Sequence, residues 1–155
     1  MKKGVLFKCI AIPLLVGAIA ALLTSDGMGM FETIEKPVLS PPGWLFPIVW
    51  TILYTLMGIS SYLVITSGVE QEKIDKAISI YGYQLVVNFL WPTFFFNLNW
   101  YLFSFFWLVL LWILVLIMIF RFLEIDKRAA WLNIPYLIWL TFAGYLNLAI
   151  WLLNK

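Results

Sequence analysis

The chain is apolar in five separate stretches, 5–23, 44–65, 77–96, 101–122 and 130–153, each about the 20 residues that a helix needs to cross the hydrocarbon core of a bilayer. No water reaches backbone N–H and C=O groups there, so an isolated span of this kind has to be a helix that bonds its own backbone. Composition agrees. The chain is 64% hydrophobic and 12% charged, against about 45–50% and about 25% in soluble domains. The links between spans are short except for 24–43, and short links make neighbouring helices antiparallel. The expectation is an all-α integral membrane protein, with five transmembrane helices in a single up-and-down bundle forming one domain over 1–155.

Residues 66–76 and 123–129 are charged turns, and "NLNW" at 97–100 is a tight hairpin. The long loop 24–43 contains "MFETIEK", enough for one or two helical turns, and then a proline run. No internal repeat is visible, so an inverted-repeat transporter architecture is not supported. The amino terminus, 66–76 and 121–129 carry eight Lys and Arg residues, whereas the opposite side has only Lys36 and Lys155. That excess puts the amino terminus in the cytoplasm and loop 24–43 outside a multi-pass cell-membrane protein. Residues 1–23 also resemble a secretory signal; we read them as an uncleaved first helix. Its Pro13, Gly17 and Ala21 form a small-residue strip suited to close helix packing.

What the spans lack excludes several chemistries. There is no histidine, one cysteine (Cys9), and no Asp, Glu, Lys or Arg in the middle of any span. That argues against intrachain disulfides, most metal centres, hydrolytic dyads and the buried charge relays of pumps. No cofactor is expected. The net charge of +2 gives no reason to expect nucleic acid.

Amides and aromatics remain. In the third span Gln84, Asn88, Trp91 and Phe95 lie on one helical stripe. In the fifth, Pro135, Trp139, Ala143 and Asn147 follow at steps of four. In the second, Trp50, Tyr54, Met57 and Ser61 share a face. The fourth span has almost nothing polar except Ser104 and reads as packing and lipid contact. Two readings stand for the amides: glue between helices, or the wall of a pocket. Trp44, Trp100, Trp131 and Trp151 suit the membrane interface. Trp139 lies too deep for that, and Ala143, one turn on, leaves a gap beside its indole. The run "KPVLSPPGWLFPIVW" at 36–50 fits a stiff lid joined to a pocket wall. Pro37, Pro41 and Pro42 restrict the loop, and Pro47 falls in a first helical turn where no N–H partner is lost.

Three segments carry a resemblance to a known family: "KPVLSPPGWLFPIVWTILYTLMG" (36–58), "QLVVNFLW" (84–91) and "PYLIWLTFAGYLNLAIWLLN" (135–154). They resemble the translocator protein family, also called tryptophan-rich sensory proteins or peripheral-type benzodiazepine receptors. The resemblance implies five membrane helices, usually a homodimer, and partners beyond the lipid bilayer that are porphyrins, such as protoporphyrin IX, and synthetic small molecules of the isoquinoline-carboxamide and benzodiazepine classes. Carried over by position, with the neighbouring stripe residues, it implies a ligand site of Trp50, Tyr54, Asn88, Trp91, Phe95, Trp139, Ala143 and Asn147. It also implies light-dependent porphyrin breakdown, with Trp50 and Trp139 as the catalytic tryptophans. Two features depart from the family pattern. Val38 and Leu39 stand where many relatives have tryptophans. No Lys or Arg follows Tyr145 before Lys155, so the family's sterol motif, itself a weak pattern, is absent. A porphyrin sensor, a light-driven enzyme, a porphyrin or small-molecule transporter and a ligand-free scaffold are the competing functions.

Overall fold

The computed structural model describes residues 1–155 and is all-helical, with no strand. The helices are α1 (Lys3–Leu23), α2 (Ser25–Phe31), α3 (Leu45–Ile65), α4 (Gln71–Pro92), α5 (Tyr101–Leu123), α6 (Lys127–Trp131) and α7 (Ile134–Asn154), with a π-helical turn at Thr93–Asn97 after α4. Helix α1, with 21 residues, is about 31 Å long at 1.5 Å per residue. Four segments are long and apolar enough to cross a membrane: α1, α3, α5 and the α6–α7 pair. Only 35 of the 155 residues are buried. The outward faces carry side chains such as Phe106, Ile113 and Phe120 on α5, all well exposed, which need lipid as their solvent.

Several boundaries differ from the sequence-based expectation. The charged turn at 66–76 is half helix, because α4 begins at Gln71. Its first turns are held outside the apolar run by i,i+4 pairs: Glu72 with Lys76 at 3.1 Å and Gln71 with Asp75 at 2.8 Å. The helical turns expected within "MFETIEK" lie earlier, in α2. The last span is interrupted at Leu132–Asn133. Pro135 has no N–H to return to the carbonyl of Trp131, so the helix restarts with proline in its first turn. Asp126 caps α6 by accepting from the Arg128 backbone N–H at 2.9 Å. The Arg128 side chain beside it holds the Asp126 carboxyl below its ordinary value.

The turn at 97–100 is the tight hairpin that was expected. Asn99 adopts φ 55° there, a left-handed conformation that asparagine tolerates. Pro92 ends the regular helix before it, and the π turn closes through Leu98 N–H to Thr93 O at 3.0 Å.

Around the bundle the packing runs α3, α1, α4, α5, α7. Helix α1 meets α3 at two glycines. A Cβ on Gly58 would come within 2.5 Å of Ile10 Cα, and a Cβ on Gly17 would strike the Tyr54 ring. Helix α5 packs against both α4 and α7, with Leu111, Val115, Met118 and Phe122 fully buried. The backbones of α3 and α7 do not pack closely together. Aromatic side chains bridge them instead: Trp50 to Tyr136 at 6.1 Å and Phe46 to Trp139 at 5.8 Å between ring centroids.

Candidate functional site: a cavity beneath the first loop

A chain of side-chain hydrogen bonds crosses the middle of the bundle. The Tyr54 hydroxyl on α3 donates to Asn88 Oδ1 on α4 at 2.7 Å. Asn88 Nδ2 donates to the Tyr136 hydroxyl on α7 at 2.7 Å, and that hydroxyl donates to Gln84 Oε1 at 2.7 Å. All four residues are buried. In a medium without water each such group needs a protein partner, and here three helices supply them to one another. The interhelical-glue reading therefore holds for Gln84 and Asn88. A second tie stands nearer the loop end. Trp91 Nε1 donates to Asn147 Oδ1 at 3.1 Å, while Asn147 Nδ2 donates to the Tyr101 carbonyl at 2.8 Å.

Beside this network lies a cavity of about 700 Å³. Its walls are Leu14 and Gly17 from α1, Trp50 and Tyr54 from α3, Asn88 and Trp91 from α4, and Trp139, Ala143 and Asn147 from α7. Phe95 closes it on the π turn, stacked on Trp91 at 4.9 Å. All eight sequence-derived site residues thus line one cavity. The other stripe members do not: Gln84, Met57 and Ser61 are buried elsewhere in the core, and Pro135 is exposed.

Helix α5 also contributes to the wall, through Leu108 and Leu111. From sequence that helix is expected to serve packing and lipid contact alone. Tyr136 was missed as well, because a step of four from exposed Pro135 passes it by. A stripe spaced 3-4-4, through Tyr136, Trp139, Ala143 and Asn147, would have found it.

The exposed members of the lining mark the mouth. They are Ala18 and Ala21 on α1, Met28 on α2, Pro47 and Thr51 on α3, and Glu32, Gly43 and Trp44 above them. The loop over this end is fastened on two sides. Glu35 N–H donates to Asn154 Oδ1 at 3.0 Å, and Asn154 Nδ2 donates to Glu35 O at 2.8 Å. On the other side Phe31 packs on Phe95 and Phe96, with centroids at 6.0 and 5.6 Å, and Asn97 Nδ2 donates to Leu23 O at 3.0 Å. Gly27 sits where a Cβ would fall 2.5 Å from the Phe96 carbonyl oxygen.

Three of the nine indoles donate within the protein: Trp91, Trp107 to Val87 O at 2.7 Å, and Trp112 to Thr141 Oγ1 at 2.9 Å. The indoles of Trp50 and Trp139 do not, and both stand on the cavity wall. The site therefore offers stacking faces and unused N–H donors, with no acid–base pair. No cluster of His, Cys, Asp or Glu that could hold a metal ion is present.

The sequence profile of the TspO/MBR family matches residues 9–152, which include the cavity lining from Leu14 to Ile150. The chain belongs to the TspO/MBR family. It is 35% identical over 147 residues to a tryptophan-rich protein TspO of Chlorobaculum tepidum, covering 94% of this chain and 93% of that one. It is 37% identical over 124 residues to protein CrtK of Rhodobacter capsulatus, covering 80% and 78%. It is 31% identical over 150 residues to the translocator protein of Bos taurus, covering 93% and 86%. A TspO/MBR membrane protein accounts for the several apolar helices of spanning length.

Proposed function

We propose that the chain is a membrane receptor or sensor that binds flat aromatic ligands in this cavity, with porphyrins such as protoporphyrin IX and isoquinoline-carboxamide or benzodiazepine-type molecules in the class. One observation carries the reading: aromatic and amide residues from α3, α4 and α7 surround one space of about 700 Å³ under a fastened loop. Ligand pockets run from about 300 to 1,000 Å³ and combine apolar walls with a few polar groups. Metal-free tetrapyrrole suits the site better than haem, because the chain has no histidine for an axial bond.

In this reading α4 and its π turn make a fifth crossing, the amino terminus is cytoplasmic, and two copies pair in the bilayer. The orientation rests on the eight-to-two distribution of basic residues. Lys2 N–H reaches the Tyr62 hydroxyl at 3.0 Å, at the end of the bundle opposite the loop.

The test is titration of purified protein with protoporphyrin IX while following tryptophan fluorescence. Saturable quenching that a competing isoquinoline carboxamide reverses supports the reading. Linear, non-competed quenching overturns it.

A second reading, light-driven breakdown of bound porphyrin, is favoured by the uncommitted indoles of Trp50 and Trp139. Those two residues would supply the electron-rich groups that contact an excited macrocycle.

A further inference from the structure

The charge pattern of the cavity bears on which ligands it accepts. Of its 28 lining residues Glu32 alone is charged, and no Lys or Arg is among them. The neutral polar groups of the wall are already committed. Asn88 and Asn147 use both ends of their amides, and the Tyr54 hydroxyl donates to Asn88. Thr24 and Thr51 donate to the carbonyls of Ala20 and Pro47 at 2.8 and 2.7 Å. A ligand carboxylate inside would meet no cation, and the donors left to it are indole N–H groups.

The mouth is no kinder to an anion. Glu32 is exposed and forms no ion pair; the two ion pairs in the molecule are Glu72–Lys76 and Asp126–Arg128. Its carboxylate faces Gly43, where an added Cβ would lie 3.3 Å from Oε1. The nearest cation in sequence, Lys36, is turned to other partners. Its ammonium donates to the carbonyls of Glu32 and Ile34 at 3.3 and 3.4 Å and sits 5.0 Å from the centre of the Phe31 ring.

We propose that Glu32 is a specificity-determining residue that makes this cavity select neutral or cationic flat aromatic ligands over carboxylate-bearing ones. The inference rests on the ligand-binding reading above and narrows its ligand class. A preferred ligand presents a carbonyl or ring-nitrogen acceptor to the indole N–H of Trp50 or Trp139 and keeps any positive end beside Glu32. A dianionic tetrapyrrole has to hold its carboxylates at the mouth, against a like charge. At contact distance in water that repulsion corresponds to about fivefold in affinity, and salt screens it.

The experiment compares protoporphyrin IX with its dimethyl ester, which keeps the macrocycle and removes both charges. Dissociation constants are measured by tryptophan quenching for wild type, E32Q and E32K at low and high salt. The expected result is tighter binding of the ester to wild type. The acid-to-ester affinity ratio should shift about fivefold toward the acid in E32Q and further in E32K, with smaller shifts at high salt. An unchanged ratio across the three proteins, with both ligands bound, overturns this inference and leaves the binding reading intact. Failure of both ligands to bind wild type overturns the binding reading and this inference with it.

Discussion

The indole of Trp91 donates to Asn147 Oδ1 at 3.1 Å, joining α4 to α7 at the wall of the cavity. Asn147 also donates to the Tyr101 carbonyl at 2.8 Å, so one buried amide ties the start of α5 to the other two helices. Replacing it strands two partners at once. Asn147→Leu should lower the thermal midpoint in detergent, by a loss of about 1–4 kcal/mol at roughly 0.6–2 kcal/mol per interhelical bond. It should also weaken ligand binding. Differential scanning fluorimetry and tryptophan quenching on the same samples check both. An unchanged midpoint would mean the amide is not a tie.

The two glycine contacts of α3 and α1 should differ in their tolerance of a methyl group. At Gly58 the obstacle is the α1 backbone at Cys9 and Ile10; at Gly17 it is the Tyr54 ring. A ring can shift where a backbone cannot. Gly58→Ala should therefore destabilise by about 1–3 kcal/mol and Gly17→Ala by less, even though both gain roughly 1 kcal/mol of helix propensity. Gly17→Ala should instead disturb Tyr54 and its bond to Asn88, and so affect binding. Equal midpoints for the two variants would contradict the contact geometry.

Ala143 lines the cavity one turn from Trp139. Ala143→Phe should fill that space and reduce affinity for bulky ligands by more than about tenfold, the equivalent of 1.4 kcal/mol. The fold should survive, because the ring enters existing volume. Isothermal titration with a bulky isoquinoline carboxamide, beside circular dichroism, is the check. Wild-type affinity in a folded variant would show that the ligand lies elsewhere.

Trp50→Phe and Trp139→Phe each keep an aromatic wall and remove an uncommitted indole. Porphyrin binding should fall only modestly in either, whereas light-driven conversion of bound porphyrin to product should drop sharply. Trp131→Phe should retain conversion, because Trp131 is exposed and outside the lining. Absorbance decay under fixed illumination, with product identified by mass spectrometry, decides between them. Wild-type rates to the same product in both cavity variants would reduce the reaction to ordinary photobleaching.

Asn154 holds the loop through two bonds to the Glu35 backbone. Asn154→Ala should speed amide hydrogen exchange at 33–36 and raise the dissociation rate of a bound ligand, with little change in thermal midpoint. Exchange mass spectrometry with and without ligand measures the first effect and stopped-flow displacement the second. Unaltered exchange in that segment would show that the loop is held by its aromatic contacts alone.

Much of this is legible in the sequence. The apolar runs mark α1, α3, α5 and α7 to within a few residues, because span length is set by bilayer thickness and not by any partner; α4 departs, starting at Gln71 in a charged stretch that apolarity does not reveal. The stripes through Trp50, Asn88, Trp91, Trp139, Ala143 and Asn147 are legible because helical periodicity is a local property. Proline chemistry accounts for α3 starting just before Pro47 and for a helix restart at Pro135.

Other features depend on what each residue meets across the bundle. Whether Gln84 and Asn88 serve as glue or as pocket wall could not be settled from type and spacing, since an amide suits both. The Tyr54–Asn88–Tyr136–Gln84 chain makes them glue, and leaves Asn88 on the wall as well. Nothing local distinguishes Leu108 and Leu111 from the lipid-facing leucines of α5. Only their placement between α4 and α7 makes them part of the cavity. The sequence by itself determined that the chain is helical, made for lipid, and rich in inward aromatics, because length, hydropathy and period are properties of one segment at a time. Tertiary structure decided which indoles stay uncommitted and that Glu32 is the one charged residue of the lining, because hydrogen-bond partners and cavity walls come from segments distant in the chain.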